Sequence, residues 1–391
     1  MHILELPSFF PPYGGMFCVD QAKALAMQGN TVRIAACINM SARLSPGLYL
    51  KAPLGTYMTQ VDGIEVMRKD LRGIPFFPKA CAMHWVKAVE KLVDKYVEKF
   101  GKPDIIHAHC CQWAGYAAML CGERYGVPYV VTEHLSSVLL KREYGRDIYG
   151  AWQLPMITEA YRRADLVVPV SAELVDDLAP FFGRDYKWVE VSNTIDTDFF
   201  KYKKRIPLDA DRELVLCCIA NFVPGKGYDV LFDAVGKYRK ATGDRVRLLV
   251  AGRFTDSDEA KRLADECGVG DIVEFYGEVG KEKVIDILYK SDCMLLATRK
   301  EAQGLVVLEA MSTGLPVITT DCVPKSVRIN SGCRIVPVDD AVAMARAIGD
   351  FRKEGTNACR LASEKVAGMA SPDVVGKRLD SLFRNVVEMK K

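Results

Sequence analysis

The sequence predicts an α/β protein made of two domains, each a parallel sheet with helices on both faces. Short apolar runs alternate with amphipathic segments along the whole chain, the pattern of successive strand and helix units. At 391 residues the chain exceeds one ordinary core and suits two domains of roughly 200 residues each. Glycine turns follow several strand candidates, at Gly14-Gly15, Gly225-Lys226-Gly227 and Gly304, and such turns are where open α/β sheets bind ligands.

In the first half the strand candidates are Ile3–Leu6, Val32–Ala36, Ile64–Arg68, Ile105–Ala108, Tyr129–Thr132, Leu166–Pro169 and Trp188–Val191. Amphipathic segments at Val19–Gln28, Met83–Phe100 and Trp113–Tyr125 lie between them. In the second half the strands are Leu214–Ala220, Val246–Ala251, Val273–Tyr276, Cys293–Ala297, Val317–Thr320 and Arg334–Val336. Helices are expected at Tyr228–Thr242, Ser257–Cys267, Lys281–Lys290, Leu305–Ser312 and Ala341–Phe351. The polar stretch Asp196–Arg212 reads as the linker, so the domain cores are set at 1–205 and 206–372.

Composition narrows the function. The formal charge of +3, from 53 basic and 50 acidic residues, shows no bias toward polyanions, so nucleic acid is not a partner. Thirteen cysteines include the adjacent pairs Cys110-Cys111 and Cys217-Cys218 inside apolar runs, and none has CxxC spacing. Buried thiols in a reducing cytoplasm fit better than disulfides or zinc. Met1–Leu6 reads as a strand rather than a signal peptide. No apolar run approaches the roughly 20 residues that span a bilayer, and the expected location is cytoplasmic.

The most informative segment runs from Glu301 through Gly304, Leu305 and Glu309 to Gly314-Leu315-Pro316. A buried strand candidate opens into a loop carrying Glu301, a glycine starts a helix carrying Glu309, and Gly-Leu-Pro stops it before the next strand. Amide groups at such a helix start can hold phosphate, and carboxylates can accept hydrogen bonds from sugar hydroxyls. The ordered combination resembles the donor-binding signature of the retaining glycosyltransferases of family 4, which have the GT-B architecture of two Rossmann-like domains facing each other across a deep cleft. The resemblance covers nearly the whole chain and is sharpest from about Asn221 to Pro337. It implies that Glu301 lies near the donor hexose and that Glu309 bonds the ribose of the nucleotide. It also implies that a last helix, about 373–391, packs back on the first domain. Ser192-Asn193-Thr194-Ile195-Asp196 is similar to the family's interdomain segment, with Thr194 where glycine is usual.

Asn221-Phe222-Val223-Pro224-Gly225-Lys226-Gly227 places Lys226 in a glycine turn at a helix start, where a cation can neutralise a pyrophosphate leaving group. The family usually has Arg where Asn221 stands. Arg253 or Arg299 is the candidate for the missing charge, against the plainer reading of each as a solvated loop residue. On the acceptor side, Gly14 and Gly15 open the first helix, and the resemblance turns this loop toward the diphosphate or the acceptor. His107-Ala108-His109 ends one strand and Thr132-Glu133-His134 another, so these groups can converge. The family has a functional histidine at the position of His134; His109 is second choice, and Glu133 reads as a neighbouring loop charge.

The resemblance implies a hexosyltransferase that moves a sugar from a UDP- or GDP-linked donor to an acceptor hydroxyl with retention, in polysaccharide or glycolipid assembly. No cofactor is expected beyond the nucleotide sugar, and no metal, since Asp256-Ser257-Asp258 and Asp196-Thr197-Asp198 fall in a loop and a linker rather than at a strand end. A non-hydrolysing nucleotide-sugar epimerase and a catalytically silent GT-B partner subunit remain as alternatives. Asn221 and Val323-Pro324-Lys325-Ser326 give weight to the second. The resemblance also implies a glycan or lipid-linked acceptor. Peripheral contact with the inner face of the plasma membrane through Phe76-Phe77-Pro78-Lys79 and the following helix stands against the simpler view that Trp85, Val89, Leu92, Val93 and Val97 form a buried stripe.

Overall fold

The computed structural model describes residues 1–40, 46–72, 77–137, 152–208, 212–355 and 359–390. The chain forms two compact units, Met1–Thr194 with Pro372–Lys391, and Ile195–Ser371.

In the first unit the strands are β1 (His2–Pro7), β2 (Thr31–Met40), β3 (Thr56–Val61), β4 (Ile64–Arg72), β5 (Ile105–His109), β6 (Tyr129–Glu133) and β7 (Leu166–Pro169). They lie in the order β3-β4-β2-β1-β5-β6-β7. Helices are α1 (Met16–Ala26), α2 (Pro46–Lys51), α3 (Pro78–Phe100), α4 (Tyr116–Tyr125), α5 (Leu154–Arg162) and α6 (Ala172–Phe182). Every pairing is parallel except that of β3 with β4, a hairpin the apolar pattern does not announce because β3 is half exposed. Its turn, Asp62-Gly63, has positive φ at both residues (47° and 83°), the conformation that Asp-Gly hairpins favour. Trp188–Val191 is not the predicted strand. It runs beside β7 through Val189 N–H to Val167 O and Val191 N–H to Pro169 O, too short a ladder to count as one.

Helix α3 starts earlier than expected, at Pro78, where a missing N–H does no harm. Trp85, Val89, Leu92 and Val93 are buried, and Trp85 Nε1 donates to Cys37 O at 2.8 Å, so the stripe faces the sheet. Phe77 is exposed; Phe76 lies outside the described residues. No helix among the described residues is long and apolar enough to cross a membrane.

The second unit is a six-stranded parallel sheet in the order β10-β9-β8-β11-β12-β13. Its strands are β8 (Leu214–Ile219), β9 (Val246–Ala251), β10 (Val273–Phe275), β11 (Cys293–Leu296), β12 (Val317–Thr320) and β13 (Cys333–Val336). Its helices are α7 (Tyr228–Thr242), α8 (Asp258–Glu266), α9 (Lys281–Lys290), α10 (Leu305–Ser312), α11 (Ala341–Glu354) and α12 (Cys359–Ala370). The strands are continuously apolar because both faces are covered. In β8, Leu214, Leu216 and Cys218 enter the core under α7 and α11, while Val215 and Cys217 enter the opposite core with α9, α10 and α12. The adjacent cysteines thus point apart, and all thirteen cysteines of the chain stand as thiols.

The stretch expected as a linker, and the boundary near residue 205, need correction. Ile195 and Phe200 are buried in the second core, Lys203 N–H donates to Thr313 O at 3.0 Å, and Arg205 donates to the carbonyls of Leu288, Ser291, Thr313 and Gly314. Polar composition suggested a solvated connection, but Arg205 is anchoring loops instead, and its burial lowers the guanidinium pKa. The division falls after Thr194.

The last helix, α13 (Pro372–Met389), belongs to the first unit. Val375, Leu379 and Phe383 join the core of β1 and α1, and Asn30 Nδ2 donates to Asp380 at 2.8 Å. Gly376 permits the contact, since a Cβ there would stand 2.2 Å from the Ala24 carbonyl oxygen. Gly376→Ala should therefore destabilise the protein by about 1–3 kcal/mol, read as a lower urea midpoint with an unchanged slope.

Candidate active site

In the second unit the chain runs outward through β9 and β10 on one side of β8 and through β11, β12 and β13 on the other. The crevice of such a sheet opens at the carboxyl ends of the two strands where the direction reverses, here β8 and β11. The loops that leave these two strands carry Asn221–Gly227 and Ala297–Gly304.

The two loops are fastened to each other through backbone. Gly227 has φ +62°, and a Cβ there would be 2.0 Å from Ala297 O, so only glycine allows the approach. Arg299 N–H donates to Gly225 O at 2.8 Å, and Thr298 Oγ1 to the same oxygen at 3.2 Å. The Arg299 guanidinium donates to Pro224 O, Asp229 Oδ2 and Asp339 Oδ1, each at 2.6 Å. The bond to Asp229 raises the Arg299 pKa further, and Arg299 holds the Asp229 carboxyl below its usual range although burial opposes that. Arg299 is therefore a clamp across the crevice rather than a solvated loop charge.

Within this frame Lys226 and Glu301 form an ion pair. Their side chains are 27% and 11% exposed, covered enough to strengthen the pairing and open enough to exchange partners. Gly304 takes φ +86° and starts α10 at Leu305; Glu309, in the second turn, is half-buried. Asn221 Oδ1 accepts the Arg253 backbone N–H at 3.0 Å, and the Arg253 side chain pairs with Glu278 at 3.0 Å on an exposed edge. Both arginines considered for the missing charge are thus committed to carboxylates, Arg299 firmly and Arg253 at the surface.

In the first unit the reversal lies between β1 and β5. Gly14 and Gly15 follow β1 with φ of +93° and +83°, and Gly15 precedes α1. A Cβ on Gly15 would fall 1.9 Å from Phe9 O, whereas Gly14 has nothing within 4 Å. The histidines at the strand ends do converge: His109 Nδ1 is 3.0 Å from His134 Nε2, and Phe17 of α1 stacks on His134 with centroids 3.8 Å apart. Glu133 is not a loop charge. It is buried and accepts from Tyr161 OH at 2.5 Å and from the backbone N–H groups of Cys111, His134 and Leu135. Burial raises its carboxyl pKa, although these donors oppose the shift.

Glu5, His107 and His109 are the group among the described residues whose donor atoms lie close enough to hold a metal ion, all within 4.8 Å of one another. His107 Nδ1 and His109 Nε2 approach one carboxylate oxygen, Glu5 Oε2, at 2.8 and 2.7 Å. The His109 contact is a hydrogen bond, whereas His107 Nδ1 comes close without the alignment of one.

Against this geometry two family models match in succession, "Glycosyltransferase Family 4" over residues 14–199 and "Glycosyl transferases group 1" over residues 199–365. The chain belongs to these glycosyltransferases and has their GT-B fold. A D-inositol 3-phosphate glycosyltransferase of Streptomyces scabiei is 28% identical over 64% of this chain and 60% of its own length. The match thus spans about three fifths of that relative. The putative teichuronic acid biosynthesis glycosyltransferase TuaC of Bacillus subtilis is 25% identical over 82% of this chain and 81% of its own. Among solved structures, a sucrose-phosphate synthase from Thermosynechococcus elongatus superposes with a TM-score of 0.79 at 18% identity, covering 100% of both chains. Anabaena Alr3699/HepE in complex with UDP gives 0.71 at 16% identity, covering 98% of this chain and 100% of the other.

Sequence reasoning missed Thr298, Asp229, Asp339, Phe17 and Glu5. Gly227 was named in its turn but not for its approach to Ala297, and Glu5 was signalled by a charge inside an apolar strand; the others have no local signature. The glycine geometry is testable. Gly15→Ala should cost more stability than Gly14→Ala, since both bear the strain of positive φ but only Gly15 adds a backbone clash. Gly227→Ala should lose at least about 2 kcal/mol by the same reasoning, all three read from thermal or urea unfolding.

Proposed function

We propose that this glycosyltransferase moves a hexosyl group from a nucleotide diphosphate sugar to an acceptor hydroxyl with retention at the anomeric carbon. The observation that carries the reading is the Lys226–Glu301 pair, set at the reversal point of the second sheet beside the starts of α7 and α10. In the absence of donor the two charges satisfy each other. With donor bound, Lys226 turns to the diphosphate, where negative charge grows as the glycosidic bond breaks, and Glu301 accepts hydroxyl hydrogens of the hexose. Glu309 accepts from the ribose hydroxyls, and amides at the start of α10 face phosphate oxygens. The departing phosphate takes the acceptor's proton on the same face, so no carboxylate nucleophile is required.

Complexes of Alr3699/HepE with UDP and with UDP-glucose support a nucleotide sugar as donor, UDP-linked or, as the alternative kept open, GDP-linked. Relatives named for inositol phosphate, teichuronic acid and glycogen support a polyhydroxylated acceptor in glycan or glycolipid assembly. Lys226 and the helix starts supply the positive charge that a divalent ion provides elsewhere. Transfer should therefore proceed at an unchanged rate in EDTA, and a rate restored only by added metal would refute this part.

Thermal-shift screening against UDP, GDP and ADP sugars identifies the donor, since a ligand at 100 times its dissociation constant stabilises by about 2.7 kcal/mol. With that donor, Glu309→Ala should lose on the order of 10- to 200-fold in kcat/KM, the worth of charged hydrogen bonds; unaltered nucleotide affinity would remove Glu309 from the ribose. Lys226→Ala should lower kcat more than it raises KM. A fully active Lys226→Ala enzyme is incompatible with the proposed role.

A further inference from the structure

Phe254 joins two features that seldom occur together in a surface residue: its side chain is 59% exposed, and its backbone takes φ +67°. A bulky residue in that left-handed region is strained, and turn positions of this kind normally fall to glycine or asparagine. The turn is well formed. Gly252 O accepts the Thr255 N–H at 3.2 Å and the Thr255 hydroxyl at 2.9 Å, which puts Phe254 at the third of the four turn positions. Phe254 joins neither hydrophobic core of the second unit. The chain therefore bears a backbone cost to hold a mostly exposed aromatic ring, whose own burial offsets little of it.

The turn leaves β9 at its carboxyl end and is fastened on two sides. Toward β8, a Cβ on Gly252 would stand 2.2 Å from Ala220 O, so the two backbones touch. Phe222 N–H donates to Arg253 O at 2.8 Å, and Arg253 N–H to Asn221 Oδ1 at 3.0 Å. Toward β10, Gly252 N–H donates to Gly277 O at 2.8 Å, and Gly277 N–H to Thr255 Oγ1 at 3.1 Å. Thr255 is wholly buried. Phe254 thus stands on a fixed backbone, and one of the loops that fix it carries Lys226. Its strand, β9, lies beside β8 on the side away from β11, one strand spacing of about 5 Å from the strand whose loop holds that lysine.

We infer that Phe254 is a platform on which the base of the donor nucleotide stacks. The inference rests on the transferase reading, which sets the diphosphate at Lys226 and the hexose at Glu301. The base is then the part of the donor still to be placed, and it alone is flat and aromatic. Such a face is met best by an aromatic side chain that is rigid and uncovered before the ligand arrives, and Phe254 is both. Stacking uses the π face, which every base has, and not the hydrogen-bonding edge. Phe254 therefore contributes to the binding of UDP, GDP and ADP sugars alike, and the choice among them falls to groups at the edge of the base. Glycine at position 254 would relax the turn and remove the platform, so nucleotide affinity is expected to fall without loss of stability.

Calorimetric titration of the full-length protein with UDP and with GDP tests the platform. Phe254→Leu keeps an apolar side chain in the same strained turn but has no ring, and it should bind either nucleotide about tenfold more weakly than the wild type. Phe254→Gly should bind as weakly and unfold at a urea midpoint no lower than that of the wild type, and Phe254→Tyr should keep wild-type affinity within about twofold. Affinity for inorganic pyrophosphate, which has no base, should stay within about twofold in all three. In transfer from the sugar nucleotide found by screening, Phe254→Leu should raise KM about tenfold and leave kcat nearly unchanged, because the base is held alike before and during bond cleavage. Equal nucleotide affinity in the wild type and Phe254→Leu overturns the platform and leaves the transferase reading in place. Pyrophosphate binding that weakens as much as nucleotide binding, or a clearly lower midpoint in Phe254→Gly, assigns the ring to the shape of the loop and also overturns it. A wild type that binds no nucleotide refutes the transferase reading and the platform together.

Discussion

The backbone of Gly227 rides so close to the Ala297 carbonyl that no side chain fits between them, and the polar end of the second unit is organised around that approach. The contact brings the loop after β8 onto the loop after β11, neighbours at the sheet's reversal point. Once these backbones touch, the carbonyls of Pro224 and Gly225 would be left without partners unless something donated to them. Arg299 supplies two of the donors, one from its backbone and one from its side chain, and Thr298 another. The Lys226–Glu301 pair is a consequence: two side chains from loops 75 residues apart in sequence meet because their backbones already do.

Charge is handled differently in the two units. Lys226 and Glu301 remain partly exposed, so solvation can meet part of the change when one partner is exchanged for another. Glu5 is wholly buried, and parting it from its imidazoles would leave an uncompensated charge in a low-dielectric core. The first arrangement suits a group that must let go during a cycle; the second suits one that must never do so. Glu133 belongs with Glu5, since four donors hold it between the end of β6 and the start of the loop after β5.

Most of the second unit was legible because its strands are buried on both faces and read as unbroken apolar runs. Tyr228–Thr242, Lys281–Lys290 and Leu305–Ser312 begin and end where periodicity and glycine placement put them. The first unit was harder to read. Half-exposed β3 lacks a clear apolar run, and the short helices α2, α5 and α6 lie in stretches left unassigned. The supposed linker misled because Arg205 looks like a surface charge until the carbonyls it satisfies are known. Lys226, Glu301 and His134 stand in loops after strands and Glu309 in the helix that follows, as their spacing suggested, but their partners were not legible: an ion pair, a clamp and a histidine row are long-range facts that local spacing does not encode.

The change from Arg to Asn at position 221 bears on how the leaving group is stabilised under the transferase reading. Asn221 does not compensate by drawing another cation inward, because its amide oxygen holds the Arg253 backbone while the Arg253 guanidinium goes to Glu278. Arg299 is nearer in sequence to Glu301 but is held by two carboxylates and a carbonyl, and freeing it would undo the loop contact on which Lys226 depends. What this reading then relies on is Lys226 and the amides at two helix starts. A helix start is worth about 0.3–1 kcal/mol to an anion and about 2 kcal/mol at most, whereas a charged hydrogen bond contributes about 1.5–3 kcal/mol. Under the transferase reading Lys226 would therefore outweigh either helix as the source of leaving-group stabilisation, and its pairing with Glu301 would hold that charge at the site before donor arrives.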